Sequence, residues 1–123
     1  MKIRTHSELD VYKMAFDAAM EIFETSKKFP VEEKYSLTDQ IRRSSRSVCA
    51  NIGEAFRKRK YPKSFVSKLS DSESEAAETQ VWLDFCLKYK YFDGVKYNSL
   101  IEKYNNITGK LVNMSLQPEK WVY

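Results

Sequence analysis

Few side chains in this chain are equipped for a reaction. His6 is the only histidine, and it stands in a leading segment expected to fray. Cys49 and Cys86 lie far apart, form no C-x-x-C pair, and fall near the apolar faces of helical stretches, so they read as small buried thiols in a reducing compartment. A cysteine nucleophile would have to recruit His6 as its base. Glu75 and Glu78 have the spacing of an acid pair, but a di-iron bundle needs Glu-x-x-His on two helices and no histidine completes it. Gly53, Gly94 and Gly109 are isolated, which leaves no phosphate-cradling loop. The expectation is a non-enzymatic protein with no catalytic residue, no metal site and no cofactor.

The informative chemistry is charge. The chain carries a net +4, yet between Arg42 and Lys63 eight Lys or Arg stand against Glu54 alone, a local +7 that leaves −3 for the remainder. From Asp71 to Asp84 the sign reverses, with Asp71, Glu73, Glu75, Glu78 and Asp84 uncompensated. Two readings of the basic block stand side by side. In one, its side chains form a phosphate-binding surface for RNA or DNA, favoured by counterion release. In the other they are a solvated or salt-bridged face serving subunit contacts or a protein partner. The run Arg57, Lys58, Arg59, Lys60 sits near a helix end and is the better candidate for nucleic acid. Arg42, Arg43 and Arg46 are helix-central and read as structural or subunit ion pairs with acids such as Glu75 and Glu78. Glu54, like Asn51, is a polar group near the packed face and joins that structural set. Nothing resembles a helix-turn-helix, zinc finger or RNP motif, so base-specific readout has no support.

The elements that must position these groups are helical. At 123 residues and 42% hydrophobic the chain can bury a single-domain core, and three Gly and three Pro are too few for an all-β fold of many turns. Val11, Met14, Ala15, Ala18, Ile22 and Phe29 keep a three-to-four spacing that predicts a helix over about 10–28, with Asp10 as its cap. Leu37, Ile41, Val48, Ile52 and Phe56 predict a second over 37–60, capped by Ser36, with Asp39 at pairing distance from Arg42 and Arg43. Tyr61-Pro62 breaks the pattern and opens a third helix, 62–89. Its packed stripe runs through Phe65, Leu69, Ser72, Ala76, Thr79, Leu83 and Leu87, small in the middle, so a neighbour can approach closely. Asp93-Gly94 supplies the turn to a fourth helix, 95–116. Four helices with short connections predict one all-α domain, an antiparallel up-down-up-down four-helix bundle.

Surplus aromatic residues, among them Tyr12, Phe16 and Phe23 on the first helix and Trp82, Phe85 and Tyr89 on the third, suggest self-association. Trp121 and Tyr123 of the tail are expected to dock on the bundle or a neighbouring subunit. No apolar run approaches the roughly 18 residues of a membrane span, and the leading residues lack a signal-peptide core. A soluble, cytoplasmic protein is therefore expected.

The chain also resembles a known family. Phe29, Pro30, Glu33 and Leu37, then Gln40, Ile41, Arg42, Arg43, Ser47, Asn51, Ile52, Glu54 and Arg57, match its pattern. Phe65, Leu69, Ser72, Glu75, Glu78, Thr79, Trp82 and Leu83 continue it on the third helix. These residues resemble the bundle family named for proteins encoded in intervening sequences of bacterial 23S rRNA genes, also labelled S23 ribosomal protein, over about 9–116. Gly53 departs from the family's usual alanine. The resemblance implies an antiparallel four-helix bundle assembled as a homopentameric ring. It further implies that some relatives, accessory proteins of diversity-generating retroelements, bind nucleic acid and a reverse transcriptase through a basic surface. A ring would also fit the segregated charges, because a heterologous contact joins two different patches.

Overall fold

The structure, a computed structural model, describes residues 3–122. Four helices, α1 (Asp10–Ser26), α2 (Leu37–Arg57), α3 (Pro62–Lys88) and α4 (Gly94–Leu116), form an all-α, antiparallel up-down-up-down bundle. Each packs on the next, and α1 closes against α4. Short 3-10 turns at His6–Glu8, Val31–Glu33 and Pro118–Lys120 flank them.

The spacing of apolar residues determines which face each helix buries. Val11, Ala15, Ala18 and Ile22 of α1 meet Ile41, Val48, Ile52 and Phe56 of α2 in one core with Phe65, Leu69, Ala76 and Leu83 of α3 and Leu100, Tyr104, Ile107 and Leu111 of α4. Each large aliphatic side chain buried here contributes about 2 kcal/mol of transfer free energy. The α3 stripe departs from expectation at its end: Leu87 is exposed and Cys86 is fully buried. Steps of four and three alternate from Phe65 to Leu83, and the next step of three lands on Cys86. Small side chains in the middle let α2 and α3 approach closely. There the Ser72 hydroxyl donates to the Val48 carbonyl at 2.9 Å, and the Thr79 hydroxyl lies 2.8 Å from Ser44 Oγ.

The helix ends correct several local expectations. Asp10 is the first residue of α1 rather than its cap; Leu9 holds that position with an extended backbone. Ahead of it, Glu8 accepts the Arg4 and Thr5 backbone N–H groups, so the leading segment is a built turn. The His6 ring lies 4.8 Å from that of Tyr12 and rests beside Gly53, where a Cβ would sit 3.7 Å from it in ordinary contact. An alanine at Gly53 would therefore fit. Ser36 does not cap α2 through its own side chain, because its backbone (φ −127°, ψ −103°) is far from the usual cap geometry. Its hydroxyl donates instead to Glu33 Oε1 at 2.5 Å, and the same oxygen accepts the Leu37 N–H at 3.3 Å. Glu33 Oε2 accepts the Tyr91 hydroxyl at 2.7 Å, tying the start of α2 to the α3–α4 connection. That connection turns at Lys90, in the left-handed region (φ 65°), and not at Gly94. The Tyr91 N–H returns to Cys86 O and the Lys90 N–H to Leu87 O, a Schellman closure with lysine where glycine is usual. Asp93 then caps α4 by accepting the Lys96 N–H.

α2 ends three residues earlier than expected, at Arg57. Pro62 holds Tyr61 out of helical geometry, so residues 58–61 form the reversal, closed by Lys58 N–H to Ala55 O and Tyr61 N–H to Lys58 O at 2.9 Å each. In the tail, the Trp121 ring lies 6.4 Å from Phe65 and packs on the core. Tyr123 lies outside the described residues.

The Tyr104 hydroxyl is buried with no hydrogen-bond partner among the described residues, and burial pushes its pKa up. Because an unsatisfied buried hydroxyl costs about 1–3 kcal/mol, Tyr104→Phe is expected to be at least as stable as the parent in urea unfolding, with a gain of up to about 1 kcal/mol. At Glu33, the Ser36 and Tyr91 hydroxyls hold the carboxyl below its usual range, while Glu33 pushes Tyr91 up to about 12. The carboxylate's contribution is complete above its unfolded pKa of about 4.3 and is lost as pH falls through the lower folded value. The Tyr91 contribution is complete below its unfolded pKa of about 10 and is lost as pH rises through the folded one. Thermal midpoints measured against pH should show both limbs in the parent, a flattened acid limb in Glu33→Gln, and no alkaline limb from this contact in Tyr91→Phe.

Candidate nucleic-acid interface

The packed stripe of α2 leaves Arg42, Arg43, Arg46 and Arg57 on its outer side, and the bundle treats these four differently. Arg43 reaches across to α3, where its guanidinium ion-pairs with Glu78 and, at 3.4 Å, with Glu75. Glu78 also accepts the Trp82 indole N–H at 3.1 Å, which holds the carboxylate over the α2–α3 seam. These acids hold the Arg43 guanidinium pKa above its ordinary value. Arg43 is half-exposed, so the pair is worth at most about 1 kcal/mol.

Arg42 and Arg46 point the other way, toward α1. The Arg42 guanidinium carbon lies 4.6 Å from the Phe23 ring centroid and that of Arg46 lies 5.9 Å from it, both within cation–π range. Arg42 Nε also donates to Ser26 Oγ at 2.8 Å. Neither makes an ion pair with a described residue, Asp39 included, so the expected helical pairing of Asp39 with Arg42 and Arg43 does not form. Glu54 pairs with Lys68 of α3 at 3.1 Å, not with an arginine, and Asp71 lies 3.5 Å from the same ammonium. Asn51 is satisfied by donating to the Ser47 carbonyl at 3.0 Å.

The run from Arg57 to Lys60 forms the end of α2 and the reversal into α3. Arg57, Lys58 and Lys60 are exposed and make no ion pair with a described residue, and Lys63 follows in the first turn of α3. Lys60 lies 5.4 Å from the Tyr61 ring centroid. Arg59 turns inward: its guanidinium stacks 3.6 Å from the Phe56 ring centroid and its Nε donates to the Phe56 carbonyl. The run thus presents three outward cations around one held against the bundle. Arg57 in the last turn of α2 also complements the helix dipole.

The acidic block of α3 is largely engaged within the chain. Glu75 and Glu78 face Arg43, Asp71 faces Lys68, and Asp84 accepts the Tyr97 hydroxyl at 2.5 Å. Sequence reasoning missed two residues that decide this arrangement. Lys68 draws Glu54 away from the arginines, and Phe23 serves as the platform for Arg42 and Arg46. The only signal for Phe23 was its place off the buried stripe of α1, which does not reveal its cross-helix partner.

No group of three or more potential metal ligands exists among the described residues, and none of their helices is long and apolar enough to cross a membrane. Both cysteines are buried free thiols, and burial pushes Cys49 to about 11 and Cys86 to about 12. The thiolate is the reactive form, so both should stay unreactive toward Ellman's reagent in the native protein at pH 8 and titrate fully in guanidinium.

Fold and surface together define a helical-bundle protein with a basic second helix. Residues 7–113 match the family described as 23S rRNA-intervening sequence protein, and the chain belongs to that family. Among solved structures it is similar to a protein with unknown function from the S23 ribosomal protein family of Bacteroides thetaiotaomicron VPI-5482. The TM-score is 0.77 at 28% identity, over 85% of this chain and 97% of that one. No curated protein matches.

Proposed function

We propose that this protein is a non-enzymatic, cytoplasmic nucleic-acid-binding bundle that contacts the phosphate backbone of RNA or DNA, without base readout, through Arg57, Lys58 and Lys60, which stand around the inward-held Arg59. The observation that carries this reading is the unequal use of charge. The acids of α3 are largely taken by Arg43, Lys68 and Tyr97, whereas Arg57, Lys58 and Lys60 face solvent without a described carboxylate. Unpaired surface cations are what counterion release rewards.

A second reading, a scaffold that assembles with itself, is favoured by exposed apolar side chains. Phe16 and Met20 of α1 and Val81, Phe85 and Leu87 of α3 are each more than a third exposed. The homopentamer implied by the family resemblance would cover such surface, and it is compatible with nucleic-acid binding at the bundle end. In this arrangement a protein partner would share the apolar faces and leave the basic turn open.

Salt-titrated fluorescence anisotropy with a labelled single-stranded oligonucleotide tests the first reading. The wild type should bind with an affinity that falls steeply with salt. Replacing Arg57, Lys58 and Lys60 by glutamine should lower the slope of log K against log[salt] by about 2, at roughly 0.7 per phosphate contact, with the mass from light scattering unchanged. Absence of salt-dependent binding in the wild type would overturn it.

A further inference from the structure

Arg42 and Arg46 lack a carboxylate partner, yet they are not loose. Phe23 holds both guanidinium groups against one ring, and Ser26 fixes the Nε of Arg42 at 2.8 Å. A third cation, Lys27, lies 4.9 Å from the same centroid but is already paired with Glu24 at 3.2 Å. Arg42 spends its Nε on Ser26 and one Nη on the Phe23 carbonyl at 3.5 Å, which leaves its other Nη, and the whole N–H edge of Arg46, to face an anion.

Their position along α2 matters as much as their partners. Arg46 and Arg57 are eleven residues apart, which at 100° per residue places them within about 20° of each other and about 16 Å apart along the axis. Ala50, with only a methyl group, occupies the outer surface between them, while Gly53 lies under the His6 ring of the leading turn. Glu54, one position from this ridge, is drawn toward α3 by Lys68. Asp39 lies two turns before Arg46 and gives the far end of the ridge a negative charge.

We infer that Arg42 and Arg46, held on Phe23, are a second phosphodiester-contact point. A single nucleic-acid strand then lies along the outer face of α2 from the basic turn at Arg57, beside the His6 turn and over Ala50, to the α1 edge. This reverses the structural role that the sequence suggested for these two arginines and leaves it to Arg43. A carboxylate from a second copy is the competing anion, and the assembled mass of the variants separates it from a phosphate.

The inference rests on the proposed nucleic-acid reading, and the test separates the two. Binding of a labelled dT12 is measured across a salt series for the wild type, Arg42→Gln/Arg46→Gln, Arg46→Gln and Arg42→Lys/Arg46→Lys, with light scattering and thermal melts on each. The double glutamine variant should lose about 1.4 from the salt slope, equivalent to about 25-fold in affinity at 0.1 M salt, and Arg46→Gln about half of that slope. The double lysine variant should retain the slope. Arg46 has no hydrogen bond to a described residue, so Arg46→Gln reports on binding even if Arg42 variants melt early. A wild type that binds while the glutamine variants keep its slope would overturn the second contact and leave the basic turn standing. A lower assembled mass at unchanged slope would assign the arginines to a subunit contact and also overturn it. A wild type that shows no binding overturns both readings.

Discussion

The close approach of α2 and α3 is the constraint on which the remaining features depend. Ser44 and Val48 on one helix meet Ser72, Ala76 and Thr79 on the other, and the backbones come near enough for a serine hydroxyl to reach a carbonyl of the facing helix. Larger side chains there would push the helices apart and strand that carbonyl contact. The hydrogen bond contributes about 1 kcal/mol by itself, but its geometric effect is greater. It sets the register in which long side chains at the edges of the seam meet.

That register distributes the charge. With α3 this close, Arg43 spans the seam to Glu75 and Glu78 on one flank, and Lys68 returns the favour to Glu54 further along. Arg42 and Arg46 lie on the opposite side of the α2 ridge, where α1 offers a phenylalanine ring and a serine but no carboxylate in reach. The excess of positive charge is thereby concentrated on the outer face of α2 and at the turn that follows it. A helix whose cations were all paired would have no such field; one whose cations were all unpaired would repel itself along its length.

The ends of the bundle are held by contacts that join distant parts of the chain. Glu33 collects Ser36, the first N–H of α2 and the hydroxyl of Tyr91, so one carboxylate organises both the α1–α2 and α3–α4 connections. At the opposite end the Glu8 turn sets His6 against Tyr12 and Gly53, and Trp121 folds back on Phe65. Both ends illustrate that a polar residue in a loop acts through partners far away in sequence.

Much of this was legible from the residues. Apolar spacing marked the four helices and most of their buried positions, Tyr61-Pro62 marked the break between α2 and α3, and the small central stripe of α3 announced the close neighbour. What spacing could not supply was the choice among equally reachable partners. Asp39 was at helical pairing distance from Arg42 and Arg43, yet Glu78 and Phe23 were better placed once the helices packed. Ser36 had the right chemistry for a cap but the wrong backbone angles, and Glu33 took the role. Periodicity along one chain determines which face of a helix is buried, because burial depends on the pattern of that helix alone. Which cation meets an acid, which rests on a ring and which faces solvent was decided only by tertiary structure, because each outcome depends on side chains that other helices bring within a few ångströms.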